Sequence, residues 1–144
     1  MGGGPLVRVE KNNYRVLDSG DAPGDPAGGC ADGYCCNDMR TQFLGSHDEL
    51  ARAVADLGAE VPAEEPAYPE EMAVLVWFLD CAPGSEIRVC SAVSDERAVN
   101  LDMSVLRACG TTAGTPAVRP YLILAVPDLG ARGGAQTSCI LSAC

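Results

Sequence analysis

The chain has 144 residues, and 20 Asp and Glu residues against 10 Lys and Arg residues give it a formal net charge of −10. This length is typical of one domain and is sufficient to bury a hydrophobic core without metal ions or disulfides. The acidic surface disfavours nucleic acid and anionic membrane surfaces as partners. The longest apolar run, Met72–Leu79, is far shorter than the roughly 20 residues of a transmembrane helix, so no membrane span is predicted.

The first 40 residues are predicted to form a hairpin followed by a cysteine-rich loop. Leu6–Glu10 and Tyr14–Leu17 flank an Asn-Asn pair, which tolerates the left-handed backbone of a tight turn. The next stretch, Asp18–Gly29, is rich in Gly, Pro and Asp. It lacks the alternate acids and closing glutamate of an EF-hand, and we therefore expect a solvated loop rather than a calcium site.

A helix is predicted from His47 to Leu57. Ser46 and Glu49 form a capping box, apolar residues then recur at helical spacing, and Gly58 supplies the stop. Residues 59–70 follow as a linker in which three prolines exclude regular structure. Those prolines are Pro62, Pro66 and Pro69.

The pattern changes to strands from residue 71. Met72–Leu79 is uniformly apolar, as in a central strand that is covered on both faces. Ile87–Val93 and Val99–Val105 alternate and predict an antiparallel meander with one buried face. A last strand is expected at Val118–Val126, where Pro120 indicates an edge or bulge position.

The predicted fold class is therefore α+β, an antiparallel sheet or partly open barrel with one main helix. Residues 1–144 are expected to form a single domain. Residues 1–40 contribute the hairpin and the cysteine-rich loop, residues 41–130 the helix and the meander core, and residues 131–144 a C-terminal tail.

Eight cysteines are the most informative feature of the composition. None belongs to the Cys-x-x-Cys pair that is common in zinc sites, so the spacing favours disulfides formed in an oxidising compartment. The alternative is a cytosolic protein that binds a soft metal such as zinc or copper(I) through several of these thiols. The disulfide candidates are Cys30, Cys35, Cys36, Cys81, Cys90, Cys109, Cys139 and Cys144.

Two disulfide links are predicted from the placement of these cysteines. If Met72–Asp80 and Glu86–Ser94 form a hairpin, Cys81 and Cys109 lie at the same end of the sheet and are expected to pair. The N-terminal loop and the C-terminal tail are both segments that burial does not hold in place. We therefore expect at least one disulfide between two sets, of which one is Cys30, Cys35 and Cys36 and the other is Cys139 and Cys144.

Four strand segments after the helix resemble those of a known family. They read EEMAVLVWF, GSEIRVCSAV, VNLDMSV and RPYLILAVP, and Pro120-Tyr121 and Val126-Pro127 are the sharpest points of likeness. Over about residues 42–127 the chain resembles the C-terminal domain of the protease-complex subunit PrcB and its bacterial relatives. The resemblance implies a small extracytoplasmic α+β domain without catalysis of its own, associated with other proteins.

No set of catalytic groups and no cofactor site is predicted. The only histidine, His47, lies at the start of the helix, where an exposed and non-catalytic role is expected. Trp77 falls within the apolar strand and is interpreted as part of the core. Two pairs of adjacent acids in or beside the proline-rich linker are interpreted as solvated: Glu64-Glu65 and Glu70-Glu71.

The tail allows two interpretations. Gly133-Gly134 precede a segment rich in Ser, Thr and Cys, as at the leader–core junction of a ribosomal precursor of a modified peptide, whose core would begin after Gly134. In the other interpretation, Thr137–Ala143 is a terminal strand tethered by disulfides.

The function expected from these observations is that of a secreted or envelope-associated domain that binds another protein, is linked to a protease complex and is not an enzyme. Met1–Pro5 has neither the basic start nor the apolar stretch of a signal peptide. An extracytoplasmic location therefore implies that a signal was removed and a new start added.

Overall fold

The computed structural model describes residues 14–23, 40–78, 86–106, 118–133 and 136–142, the last segment by its backbone. In this part of the chain the elements are seven strands and one helix. The strands are β1 (Arg15–Pro23), β2 (Arg40–Leu44), β3 (Glu71–Trp77), β4 (Glu86–Ser94), β5 (Val99–Leu106), β6 (Val118–Pro127) and β7 (Gln136–Ser142), and the helix is α1 (His47–Leu57).

Four strands form an antiparallel sheet in the order β1-β6-β3-β2. β3 lies between β6 and β2, and every residue from Met72 to Val76 is fully buried. A strand covered on both faces has no solvent side, which accounts for its uniformly apolar sequence. The prediction of a central buried strand is confirmed.

A second sheet contains β4, β5 and β7, with β4 antiparallel and β7 parallel to β5. The predicted hairpin between Met72–Asp80 and Glu86–Ser94 is wrong, because β3 pairs with β2 and β6 while β4 pairs with β5. Alternation of apolar residues specifies which face of a strand is buried, but it does not specify which strand lies beside it. The expected Cys81–Cys109 link loses its basis, and both cysteines lie outside the described residues.

The helix and the two sheets stack as three layers. One face of the four-stranded sheet packs against the buried side of α1, which consists of Leu50, Ala53, Val54 and Leu57. The opposite face packs against the inner residues of β4 and β5, among them Ile87, Ala92, Leu101, Met103 and Val105. One helix with mostly antiparallel sheets confirms the α+β class, and the described strands do not close into a barrel. No helix in the described ranges is long and apolar enough to cross a membrane.

The ends of α1 are those predicted. The Ser46 hydroxyl accepts a hydrogen bond from the Glu49 backbone N–H at 3.2 Å. The Glu49 carboxylate reaches back to the Gly45 N–H at 2.9 Å, one residue earlier than in a standard capping box. Gly58 ends the helix with a φ of 88°, a left-handed conformation that favours glycine.

The solvated loop predicted from Asp18 is wrong for Asp18–Pro23, which belong to β1 and pair with β6. Only Ala22 of this strand is buried, so the segment carries little apolar signal of its own. Its strand conformation depends on pairing with β6, and β1 accommodates acids and glycine because no described strand lies on its other side. The predicted strand Leu6–Glu10 and the remainder of that loop lie outside the described residues.

Pro120 is not at an edge, because β6 lies between β1 and β3. Its carbonyl accepts from the Phe78 N–H at 3.3 Å, just beyond the last residue of β3, Trp77. Within a strand the backbone nitrogen and carbonyl of one residue point to the same side, so the Pro120 nitrogen also points towards β3. Proline lacks an N–H, but the pairing with β3 ends at this position, so no ladder hydrogen bond is lost from its middle. A central strand therefore tolerates this proline.

A β-bulge at Cys90 interrupts the pairing of β4 with β5. Val89 pairs with Met103 and Ser91 pairs with Asp102, which leaves Cys90 as the extra residue. The bulge reverses the alternation, so Ala92 becomes buried in place of the expected Val93. In contrast, the alternation predicted for β5 is confirmed.

The C-terminal segment Gln136–Ser142 is a strand, in agreement with the terminal-strand interpretation of the tail. Residues 59–70 contain no helix or strand, as expected, yet Pro62 and Pro66 are buried. This segment is therefore packed against the domain and does not behave as a solvated linker.

Candidate functional site

Four residues lie directly opposite one another across the larger sheet. Gly20 of β1 faces Tyr121 of β6, Tyr121 faces Trp77 of β3, and Trp77 faces Arg40 of β2. We call these four residues the cross-sheet row. Tyr121 and Trp77 both pack against the core cluster that includes Leu57, so the row lies beneath the last turn of α1.

The Tyr121 half of the row is acidic. The Tyr121 hydroxyl approaches the Asp18 carboxylate at 3.5 Å, the outer limit of a hydrogen bond. A groove of about 480 Å³ opens beside it and is also lined by Asp21 and Glu60. Burial, and then the charge of Asp18, raise the pKa of Tyr121, so the phenol stays protonated at neutral pH.

Gly20 makes room for the Tyr121 ring. A Cβ atom at position 20 would lie 3.2 Å from the Tyr121 hydroxyl oxygen and 3.4 Å from the ring carbons. The ring therefore lies against the β1 backbone. A second cavity of about 380 Å³ follows on the other side of Asp21 and Tyr121 and is also lined by Glu86. Both cavities along β1 carry carboxylates and share the same phenol.

The Trp77 half of the row is basic. The guanidinium carbons of Arg40 and Arg119 lie 5.7 Å and 5.4 Å from the centroid of the Trp77 ring, within the range of cation–π contact. The ring is only partly buried, so the interpretation of Trp77 as core is wrong for its exposed side. It lines an open cavity of about 310 Å³, together with both arginines, Gln42 and Asp56.

The two arginines beside Trp77 differ in their hydrogen bonds. Arg119 donates to the Pro23 carbonyl at 2.7 Å and to the Leu57 carbonyl at 2.8 Å, so it joins β1 to the last turn of α1. A cation at this end also opposes the negative end of the helix dipole. In the described part of the chain, the Arg40 guanidinium has the ring contact and no hydrogen bond.

His47 is half-exposed at the start of α1, as predicted, but it is paired. Its Nδ1 lies 2.7 Å from a Glu65 carboxylate oxygen. The hydrogen bond to Glu65 raises the pKa of His47 above its usual value. The hydroxyl of the neighbouring Ser46 caps the helix by accepting a hydrogen bond from the Glu49 N–H. The buried hydroxyl of Tyr68 has no hydrogen-bond partner among the described residues, and burial raises its pKa to about 12.

Of the four acids that were interpreted as solvated, two have close polar partners. Glu71 binds Arg15 at 2.6 Å and accepts from the Ala67 N–H, and the Arg15 bond lowers the pKa of Glu71. Glu65 is engaged by His47, whereas Glu64 and Glu70 are exposed. These carboxylates anchor the 59–70 segment to its neighbours, and the adjacent-acid pattern does not reveal that role.

The cysteines are mostly outside the described residues. Cys90 is exposed and has a free thiol, so the structure leaves this disulfide candidate unpaired. Cys139 is described by backbone alone, and no other cysteine falls in the described ranges. Among the described residues no group of three or more His, Cys, Asp or Glu side chains is placed to hold a metal ion. The disulfide framework stays a prediction.

Comparisons of the chain with protein-family models, with curated proteins and with solved structures find no match. The resemblance to the PrcB C-terminal domain therefore stays a proposal.

Sequence reasoning did not predict the cross-sheet row. Its members come from four strands, and strand order is not readable from alternation. One local signal was present in β6, where Arg119 and Tyr121 are two residues apart in an otherwise apolar strand. Residues at that spacing share one face of a strand, so the sequence places both side chains on the same face of the sheet.

Proposed function

We propose that this chain is a non-enzymatic, secreted or envelope-associated domain that binds an extended basic segment of another protein along β1. The observation that carries the proposal is an edge strand flanked by two acidic cavities. The PrcB-like resemblance adds that the partner belongs to a protease complex.

The first support is the edge of β1. This strand pairs with β6 along residues 15–23, and no described strand lies on its other side. The strand predicted at Leu6–Glu10 would pair with the first residues of β1, so the edge offered to a partner is Asp18–Pro23. Unpaired backbone groups at a sheet edge accept an added strand from a partner.

The second support is charge. Asp21 lines both cavities beside β1, Asp18 and Glu60 line one, and Glu86 lines the other. The whole chain carries a formal charge of −10. A strand with alternate Arg or Lys residues has its cations on one face, and would bring them to the carboxylates on that face of the sheet while its backbone pairs with β1.

A third support favours this function over that of a peptide precursor. The terminal strand β7 pairs with β5 along Leu101–Leu106. Cleavage after Gly134 would remove a strand from the smaller sheet, which is costly for a leader that must stay folded.

The test is a fluorescence-anisotropy titration of the protein with a labelled peptide of alternating Arg and Val. We expect saturable binding that weakens about two- to fivefold in Asp21→Asn, the scale of a partly exposed ion pair. The control Glu96→Gln removes an equal charge at the exposed β4–β5 turn and should change nothing.

Two further peptides decide the mode of binding. The same peptide with every backbone amide N-methylated cannot donate hydrogen bonds along either of its edges and should not bind. A Glu-Val peptide should not bind either. Equal binding of the acidic peptide, or full retention by the methylated one, would show that the proposal is wrong.

A further inference from the structure

We propose that the cavity beside Trp77 is a second binding site, specific for a small organic monoanion with a carboxylate on a planar group. It lies on the Arg40 side of the cross-sheet row, away from β1. The inference does not depend on the proposed binding of a basic segment.

The position of the cations supports an anion. Arg40 and Arg119 both lie within 6 Å of the Trp77 centroid in a chain of net charge −10, which makes this cavity an exception to the acidic surface. Arg119 is committed to the Pro23 and Leu57 carbonyls. Arg40 keeps its planar fork of donors, the geometry that suits a carboxylate.

The remaining lining argues for a single charge. Asp56 lines the same cavity and would repel a dianion such as phosphate. Arg40 is the one guanidinium of this cavity without a hydrogen bond to the described residues, and one guanidinium binding one carboxylate matches a monoanion. The amide of Gln42, which also lines the cavity, can donate a further hydrogen bond to the ligand.

The apolar surface and the volume argue for a planar group. About 310 Å³ is at the lower end of the range for small-molecule sites, enough for a ring-sized ligand. The partly buried Trp77 supplies the apolar surface for it, above the buried Ala53 and Leu57. A carboxylate held by Arg40 would keep an attached ring against the indole and the guanidinium plane.

Trp77 is the only tryptophan in the chain, so its fluorescence reports on this cavity without a label. The experiment titrates the full chain with benzoate and follows the emission, with neutral benzamide as the isosteric comparison and inorganic phosphate as the dianion. We expect a saturable change with benzoate and at least about tenfold weaker binding of benzamide, because a charged hydrogen-bond pair is lost. Phosphate should give no saturable change.

The variants test the assigned cation. Arg40→Gln should lose benzoate binding, and Arg97→Gln, which removes an exposed cation at the β4–β5 turn, should bind as the parent chain does. Arg40→Lys keeps the charge and should recover part of the affinity, which separates loss of the cation from loss of fold. Equal binding of benzoate and benzamide, unchanged binding in Arg40→Gln, or tighter binding of phosphate would each overturn the assignment.

Discussion

Trp77 and Tyr121 lie directly opposite each other on the adjacent strands β3 and β6, yet their surroundings are opposite in charge. Two guanidinium groups lie within 6 Å of the centre of the indole ring, and the phenol lies beside Asp18. One strand spacing, about 5 Å, separates the two aromatic residues. The end of the sheet beneath α1 is therefore divided into a basic half and an acidic half.

The acidic half predicts a change in the titration of Tyr121. Its pKa is raised by burial and then by Asp18, so Asp18→Asn should lower the pKa towards the usual 10.0 without reaching it. The measurement is an ultraviolet titration of the phenolate, with Tyr121→Phe to assign the signal among four tyrosines. Asp95→Asn, in the β4–β5 turn, is the control and should leave the pKa unchanged. An unchanged pKa in Asp18→Asn would contradict the described contact.

Arg119 is expected to be the most important side chain of the basic half for stability. Arg119→Met removes its bonds to the Pro23 and Leu57 carbonyls, and should lower the free energy of unfolding by about 1–3 kcal/mol. Urea unfolding followed by Trp77 fluorescence measures the change. Arg97→Met, an exposed cation with no such role, is the matched control and should unfold at the parent midpoint. A loss no larger than that of the control would contradict the bridging role.

The pair of His47 and Glu65 predicts a pH dependence of stability. The folded-state pKa of His47 lies above the usual 6.5, because Glu65 holds the protonated ring. The resulting stabilisation is fully present below the unfolded pKa and is lost as the pH rises through the folded pKa. The stability difference between the parent chain and His47→Gln should therefore shrink with rising pH in this window.

Proton NMR of the only imidazole in the chain tests the cause directly. Glu65→Gln should return the pKa of His47 towards 6.5, whereas Glu64→Gln, an exposed acid one residue earlier, should have no such effect. If the pKa stays the same in Glu65→Gln, the pair does not form in solution.

The exposed thiol of Cys90 leads to a prediction about how the native chain reacts with thiol reagents. Its exposed free thiol should react with a maleimide without denaturant, and Cys90→Ser should abolish that labelling. If Cys90 is free, the seven other cysteines can form at most three disulfides within one chain and leave one more thiol free. Thiol titration of the denatured, unreduced protein should then find two free thiols. A count of eight would contradict the disulfide framework and favour the soft-metal alternative.

The short-range features of the fold were readable in advance. Ser46, Glu49 and Gly58 define both ends of α1, because capping is an interaction between residues within one turn. The apolar run of β3 and the strict alternation of β5 likewise identify a doubly covered strand and a half-buried strand. Each of these signals is local, because it depends on residues that are close together in the sequence.

The partners of each strand were not readable, and the candidate site depends on them. Backbone hydrogen bonds can form between strands of almost any sequence, so the sequence of a strand does not specify its neighbours. Here β3 pairs with β6 and β2, although β4 is the next strand in the chain. The same pairing makes a strand of the acidic β1 segment, and the register of β4 on β5 produces the bulge at Cys90. Arg40, Trp77 and Tyr121 are separated by long stretches of chain, and they meet because the packing of the whole domain sets that strand order.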